Sequence, residues 1–313
     1  MVRNPMNAHQ VRRVSLEPSQ VDCMVFWTKN PAPMIPRLRE LDDRGISYYF
    51  QFTLTPYDRS VEPNLPDKSM VVATFIELSE RIGREKVIWR YDPILVTTDM
   101  DLDYHLLEFE RMADQLAGHT EKCIISFVDF YGKCRKRLQN LQARDIDNSE
   151  IYAIVQGFSR IAAAKSLTIE TCAEALDLKA LGIDHGKCID DRLVSRITGR
   201  PIEVGKDKSQ REHCGCVASV DIGDYDTCSH FCQYCYANHG CDSVAAKKAE
   251  HDISSPISAD IDPPFAARFL VDQITLARET RWLSEQKTRN RWIRQLLRLF
   301  LGGVMKGNPL TFS

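Results

Sequence analysis

The stretch PDKSMVVATFIELSERIGREKVIWR, residues 66–90, decides the fold class of this chain. Apolar residues recur every three or four positions over Val71–Ile82, which predicts a helix. Asp67 can cap the start of this helix, and Gly83 follows as a stop. The apolar run Lys86–Arg90 then predicts a buried strand. A helix that leads directly into a buried strand is typical of an α/β fold with a parallel sheet.

The same alternation extends on both sides of this stretch. Further buried strands are predicted at Val21–Trp27, Tyr48–Leu54, Cys123–Phe127, Leu167–Thr171 and Val217–Ile222. Two more helices are predicted at about Asp103–Ala117 and Ser149–Lys165. A series of this kind fits a partial or full TIM-like (β/α) barrel of parallel strands better than a helical bundle.

The composition of the chain divides it into three regions. Residues 1–253 are predicted to form the α/β barrel domain, with a cysteine-rich loop at 214–241. Residues 254–264 are rich in Ser, Pro and Asp, which predicts a linker. Residues 265–313 are basic and amphipathic, which predicts a helical tail. We interpret this tail as an accessory or poorly ordered extension, and a helix that binds a partner or a membrane surface is the alternative.

Charge and cysteine usage narrow the class of protein. The 313 residues carry a net charge of −2, so no overall attraction to nucleic acid is expected. The sequence contains no run of 18 apolar residues and no signal peptide at its start, which predicts a cytoplasmic protein without a transmembrane segment. Five of the 11 cysteines lie between Cys214 and Cys235, and such clustering favours metal binding over disulfides.

The segment TCSHFCQYCYAN, residues 227–238, contains the pattern C-x3-C-x2-C at Cys228, Cys232 and Cys235. Three thiolates fill three corners of a [4Fe–4S] cube and leave one iron open, whereas four cysteines are usual. An open iron favours radical S-adenosylmethionine (SAM) chemistry, in which SAM binds that iron and is cleaved reductively to a 5′-deoxyadenosyl radical. Zinc, a plain electron-transfer cluster and buried free thiols are the alternatives.

This segment resembles the cluster loop of radical-SAM proteins related to spore photoproduct lyase. The segments Trp27–Pro31, Phe52–Thr55 and Glu62–Pro66 are also similar to that group. From Met1 to about Pro256, blocks such as DCMVFWTKNPAPM, VIWRYDPIL and HGKCIDD are similar to a bacterial family known as domain of unknown function 1848.

The resemblance implies a permuted radical-SAM barrel. Radical-SAM enzymes usually carry the cluster loop after their first strand, whereas here it follows the other strands. In a closed or nearly closed barrel the first and last strands are neighbours, so the loop can occupy the same place. Family members normally begin with a further strand, so we expect this chain to lack one barrel strand.

Polar residues at the carboxyl ends of the predicted strands are candidates for binding SAM. They are Lys29, Asn30, Thr53, Arg90, Asp92 and, by the family resemblance, Tyr234, which would also shield the cluster. Arg90 could bind the SAM carboxylate, and Asp92 could accept from its ribose or amine. The alternatives are a solvated surface lysine at Lys29 and an Arg90–Asp92 pair that merely closes a strand end.

Four other cysteines form a candidate second metal site. Cys172, Cys188, Cys214 and Cys216 would complete the ligand set of a second iron–sulfur cluster or of zinc. The alternative is that some of them are buried structural thiols.

Together these features predict a radical-SAM enzyme with an unknown substrate. Reductive chemistry implies an electron donor such as flavodoxin or ferredoxin. The alternative is a non-catalytic iron–sulfur or zinc-binding protein, for example one that transfers electrons. Nucleic acid as a partner is not favoured by the charge balance.

Overall fold

A sheet with six parallel strands forms the centre of the fold in the computed structural model, which describes residues 2–4, 7–249 and 267–270. The strands are β1 (Val2–Asn4), β2 (Asn7–Arg12), β3 (Cys23–Thr28), β4 (Tyr48–Thr53), β5 (Val87–Ile94), β6 (Lys122–Phe127), β7 (Thr168–Thr171), β8 (Asp184–His185), β9 (Val220–Asp221) and β10 (Ala267–Leu270). The helices are α1 (Arg39–Asp42), α2 (Lys68–Ile82), α3 (Leu102–Leu116), α4 (Gly132–Asn140), α5 (Asn148–Ala164), α6 (Asp191–Thr198) and α7 (Cys241–Ala249).

The strand order of the main sheet is β8-β7-β6-β5-β4-β3-β10-β9. Strands β3 to β8 are mutually parallel, and β10 lies antiparallel between β3 and β9. Strands β1 and β2 form a separate antiparallel hairpin. Among the described residues, β8 and β9 are the two edges, so the sheet is open, and of the predicted partial or full barrel the full form is not present.

The helical face of the sheet carries the larger core. Strand β5 contributes Trp89, which stacks on Phe109 of α3 with ring centroids 4.9 Å apart. Phe109 in turn stacks on Phe158 of α5 at 3.9 Å. All three rings are buried, and burial of each stabilises the fold by roughly 1.5–3 kcal/mol. These contacts attach α3 and α5 to the middle of the sheet.

The opposite face is covered by the chain between β8 and β9, which includes α6. The sheet residues on this face alternate with those on the helical face, as the two-residue repeat of a strand requires. The core here consists of Cys23, Val25, Tyr49, Ile88 and Ile124 from the sheet, packed against Ile189, Leu193, Val194, Ile202 and Val217. This covering segment occupies the face that would line the interior of a closed barrel, and so accounts for the open sheet.

Most predicted elements are confirmed. The five predicted strands from Val21–Trp27 to Leu167–Thr171 appear as β3 to β7, and the three predicted helices appear as α2, α3 and α5. Only Val220–Asp221 of the predicted strand Val217–Ile222 is a strand. Asp67 makes no capping hydrogen bond at the start of α2, because its carboxylate pairs with Arg59 at 3.0 Å.

The prediction for the C-terminal region is wrong at Ala267–Leu270. These four residues form β10 instead of part of a helix, because they pair with the free edge of β3. So short a segment is compatible with either a helix or a strand periodicity, and the pairing with β3 decides between them. The predicted linker 254–264 and the rest of the predicted tail lie outside the described residues. No helix of the described chain is long and apolar enough to span a membrane.

Candidate metal centre

Polar side chains collect at the carboxyl ends of the parallel strands, on the face opposite the large core. Lys29 follows β3, Thr53 ends β4, Arg90 and Asp92 lie in β5, and Cys172 follows β7. Because neighbouring parallel strands end at the same edge of a sheet, these residues form one polar surface. These sequence-based candidates therefore lie along one edge of the sheet, and their role as a binding site stays a prediction.

Glu62, in the loop after β4, organises one end of this surface. Its carboxylate is buried and accepts from Lys29 Nζ at 2.6 Å and from Thr55 Oγ1 at 2.7 Å. Lys68 Nζ and the Tyr234 hydroxyl also donate to it. Lys29 is thus an interior ion-pair partner, and its alternative interpretation as a solvated surface lysine is wrong.

The charge of this cluster is unbalanced. Burial would raise the pKa of Glu62, but Lys29 and Lys68 hold it at about 2, so the carboxylate is ionised. Burial lowers the pKa of Lys68, and attraction by Glu62 offsets this in part while Lys29 adds repulsion. Two lysines therefore share one carboxylate, which leaves a surplus positive charge beside the cysteine loop.

The loop that carries Cys228, Cys232 and Cys235 is seated on the segment around Glu62. Asn64 Nδ2 donates to the Ser229 carbonyl at 2.8 Å. The backbone N–H of Gln233 donates to the Val61 carbonyl at 2.9 Å. Since these contacts join residues more than 160 positions apart, they fix the loop against the carboxyl edge of β4.

Two further side chains hold the loop by its backbone carbonyls. Arg137 of α4 donates through Nε to the Gln233 carbonyl at 3.0 Å and through a second guanidinium nitrogen to the Cys235 carbonyl. Asn238 Nδ2 donates to the Cys228 carbonyl at 2.6 Å. The contacts are to carbonyls, so they position the loop without engaging its sulfur atoms.

The oxygen of the Asn238 side-chain amide, unlike its nitrogen, lacks a hydrogen-bond partner among the described residues. This Oδ1 atom is also buried. A buried acceptor without a donor is costly, so such atoms in native proteins call for an explanation such as water or a ligand. This oxygen lies in the cysteine loop, beside the carbonyl of its first cysteine.

Burial favours the neutral thiol at two of the three loop cysteines, Cys228 and Cys232. Burial raises the pKa of Cys228 to about 12 and that of Cys232 well above its usual value. Metal or cluster binding would therefore release protons. No three His, Cys, Asp or Glu side chains of the described chain are placed to hold a single metal ion. A [4Fe–4S] cube instead binds each thiolate to a different iron, so it does not require three sulfurs around one point.

The remaining predicted SAM-binding residues differ in their surroundings. Asn30 Oδ1 accepts from the Ala32 backbone at 3.2 Å and so stabilises the turn after β3. Tyr234 lies under Lys29 Nζ, 5.4 Å from its ring centroid, and its ring packs edge-on against Tyr57. Thr53 is half-buried at the end of β4. Their role in binding SAM stays a prediction.

Arg90 and Asp92 form the ion pair that was the alternative to SAM binding, and Arg90 also contacts a residue that the sequence did not indicate. Its guanidinium donates to Asp92, to Gln51 Oε1 at 3.3 Å and to Cys188 Sγ at 2.8 Å. Asp92 additionally accepts from Ser126. Arg90 thus lies against a thiol of the second cysteine set, and its predicted contact with the SAM carboxylate stays untested.

The second cysteine set is brought together from three loops. Cys172 Sγ and Cys188 Sγ lie 3.3 Å apart. Cys188, Cys214 and Cys216 pack in one buried cluster, and Cys172 lies against it. The neighbouring Cys216 lowers the pKa of Cys214 to about 7. The four thiols therefore lie in one region of the fold, and their role as a second metal site stays a prediction.

The fold and the loop define an α/β protein with a three-cysteine loop on the carboxyl edge of an open parallel sheet. The profile of a family described as domain of unknown function (DUF1848) matches residues 1–237, and the chain belongs to that family. No curated protein and no solved structure matches the chain.

We expect Arg137→Gln to loosen the cysteine loop, because each lost charge-assisted hydrogen bond contributes about 1.5–3 kcal/mol. Amide hydrogen exchange should become faster in peptides that cover residues 228–238. The control is Arg135→Gln in the same helix, because Arg135 donates to the Phe130 carbonyl outside the loop. Equal exchange in both variants would argue against a role of Arg137 in seating the loop.

Proposed function

We propose that this chain is a radical-SAM enzyme in which Cys228, Cys232 and Cys235 hold a [4Fe–4S] cluster. The observation that carries the proposal is the seating of a C-x3-C-x2-C loop, by its backbone carbonyls, at the polar carboxyl edge of a parallel sheet. When bound and reduced, the cluster would supply the electron that cleaves SAM to a 5′-deoxyadenosyl radical.

The charge around the loop fits such a cluster. Three thiolates add negative charge, and the surplus positive charge of Lys29 and Lys68 around Glu62 offsets it. Cys232 is buried, which limits the access of water to that side of the cluster. The residues of the chain would thus hold, neutralise and shelter the cluster while the cofactor carries the chemistry.

The SAM site would lie along the same sheet edge. We assign its contacts to Lys29, Asn30, Thr53, Arg90, Asp92 and Tyr234. The unpartnered Asn238 Oδ1 adds a buried acceptor to this set, suited to an amino or hydroxyl group.

The sheet would correspond to a partial, permuted radical-SAM barrel. Strands β9 and β10 lie on the β3 side of the sheet, so the loop after β9 reaches the end of β3 although it comes late in the chain. In a permuted barrel, that placement would correspond to a loop that follows the first strand. Flavodoxin or ferredoxin would serve as electron donor in the cytoplasm, and the substrate is unknown.

The test is SAM cleavage by the reconstituted full chain. Protein loaded with iron and sulfide under anaerobic conditions, and then reduced with dithionite, should convert SAM to 5′-deoxyadenosine, measured by liquid chromatography. Omission of dithionite is the control and should give no product. If folded, iron-loaded protein releases no 5′-deoxyadenosine, the proposal is wrong.

The second thiol set supports one other candidate function, a non-catalytic iron–sulfur or zinc-binding protein such as an electron-transfer module. Electron paramagnetic resonance separates the two candidates. The signal of the reduced cluster should change on addition of SAM if one iron is open, and should stay the same if it is not.

A further inference from the structure

We propose that Cys172, Cys188, Cys214 and Cys216 form a structural zinc site, separate from the three-cysteine loop. This proposal does not depend on radical-SAM activity. It rests on the convergence of the four thiols, on the close packing of the loops that carry them and on the spacing of their sulfur atoms.

The four cysteines come from parts of the chain that are otherwise far apart. Cys172 follows β7, Cys188 follows β8, and Cys214 and Cys216 precede β9. Cys188 is held by its backbone carbonyl, which accepts from Tyr49 Oη at 2.6 Å and from Gln51 Nε2 at 2.9 Å. These two hydrogen bonds from β4 fix the backbone of Cys188, and with it the position of the Cys188 thiol.

Two glycines allow the loops to approach each other. A Cβ atom on Gly215 would lie 3.0 Å from the Gly186 carbonyl oxygen, and one on Gly186 would lie 2.9 Å from the Thr171 carbonyl oxygen. The distance at Gly186 is too short for a real Cβ atom, and the distance at Gly215 is tighter than nine in ten real Cβ contacts. The glycines therefore let the three loops come close enough for their thiols to touch.

The spacing of the sulfur atoms favours a single ion over an iron–sulfur cube. Zinc binds thiolates at about 2.3 Å, so the sulfurs of a tetrahedral site lie about 3.8 Å apart. The Cys172–Cys188 separation is 3.3 Å, and Cys214 and Cys216 pack in the same buried cluster as Cys188. A [4Fe–4S] cube would hold its thiolates much further apart, since each binds a different iron.

Within the described residues, no three potential ligands surround one point. Rotation of the cysteine side chains would bring the four sulfur atoms into a tetrahedron. The charge of the site also suits thiolates. Arg90, which is buried, donates to Cys188 Sγ at 2.8 Å, and such a charge-assisted contact stabilises a bound thiolate.

The site is tested by the zinc content of the full chain expressed in medium that contains both zinc and iron. We expect about one zinc per chain in the wild type and in the variant Cys228→Ala/Cys232→Ala/Cys235→Ala. The double variant Cys214→Ala/Cys216→Ala should lose zinc at least about tenfold while it keeps iron loading of the three-cysteine loop. The control Cys123→Ala replaces a buried thiol of the other core and should retain zinc.

X-ray absorption at the zinc edge of the wild type tests the site without any substitution, should the double variant fail to fold. Four sulfur neighbours at about 2.3 Å are expected. Absence of zinc, a first shell with nitrogen or oxygen ligands, or zinc that persists in the double variant would overturn the proposal. Iron that survives loss of the three-cysteine loop and disappears in the double variant would also overturn it, in favour of a second iron–sulfur cluster.

Discussion

Replacement of Cys232 by alanine should abolish iron loading of the three-cysteine loop. Cys232 is the central and most buried ligand of the three, and the two remaining thiolates cannot hold a cube. Iron and sulfide analysis after anaerobic reconstitution should fall from about four of each per chain to near zero. SAM cleavage should be lost with the iron.

The matched control for this variant is Cys134→Ala. Cys134 is also buried and packs in the small cluster that Tyr234 contacts, but it lies outside the C-x3-C-x2-C pattern. The Cys134→Ala variant should therefore keep its iron and the visible absorption of the cluster. Full iron content in Cys232→Ala would show that the loop is not the ligand set.

The second large effect is expected at Glu62. Glu62→Leu should lower the free energy of unfolding by about 3–5 kcal/mol, because it leaves two inward-facing lysines without their carboxylate. Lys29 and Lys68 both donate to this group, and so does Tyr234 of the cysteine loop. Urea denaturation followed by circular dichroism measures the change.

An exposed ion pair in the same segment provides the control for Glu62. Arg59 and Asp67 lie 3.0 Å apart, and about 70% of each side chain is exposed, so Asp67→Asn should cost less than about 1 kcal/mol. If both variants lose the same free energy of unfolding, the buried Glu62 cluster does not stabilise the fold more than an exposed ion pair does.

The effect of Glu62 should also depend on pH. Its pKa is about 2 in the folded chain, below the ordinary value of 4.5, so its stabilisation is complete above pH 4.5. That stabilisation should decrease as the pH falls from 4.5 towards 2, and with it the difference between wild type and Glu62→Leu. A difference that stays constant over this range would contradict the low pKa.

The strands and the cysteine loop could be predicted because their signals are local. Apolar runs such as Tyr48–Leu54 match the observed β4 to within one residue, and three cysteines within eight positions need no tertiary information. Lys29 was also predicted as a site residue, because a polar residue at the end of a buried strand has a small set of structural roles.

The missed features depend on contacts between distant parts of the chain. Glu62 lies in the segment Glu62–Pro66, which resembles the radical-SAM group. No pattern in the neighbouring sequence indicates that Lys29, Lys68 and Tyr234 converge on its carboxylate. Arg137 lies on a polar helix, α4, whose weak apolar pattern gave no prediction, and its partners are almost 100 positions away. The open sheet could not be predicted either, because the segment that covers the inner face has little regular structure apart from α6.

The seating of the cysteine loop has a consequence for the order of assembly. Its hydrogen bonds to Asn64 and Glu62 span 165 and 172 positions, so they join segments that are far apart along the chain. Contacts of such high sequence separation carry a large loop-closure entropy and tend to form late. Iron would then be inserted into a nearly complete protein, and the loop would be among the first parts released when the chain begins to unfold.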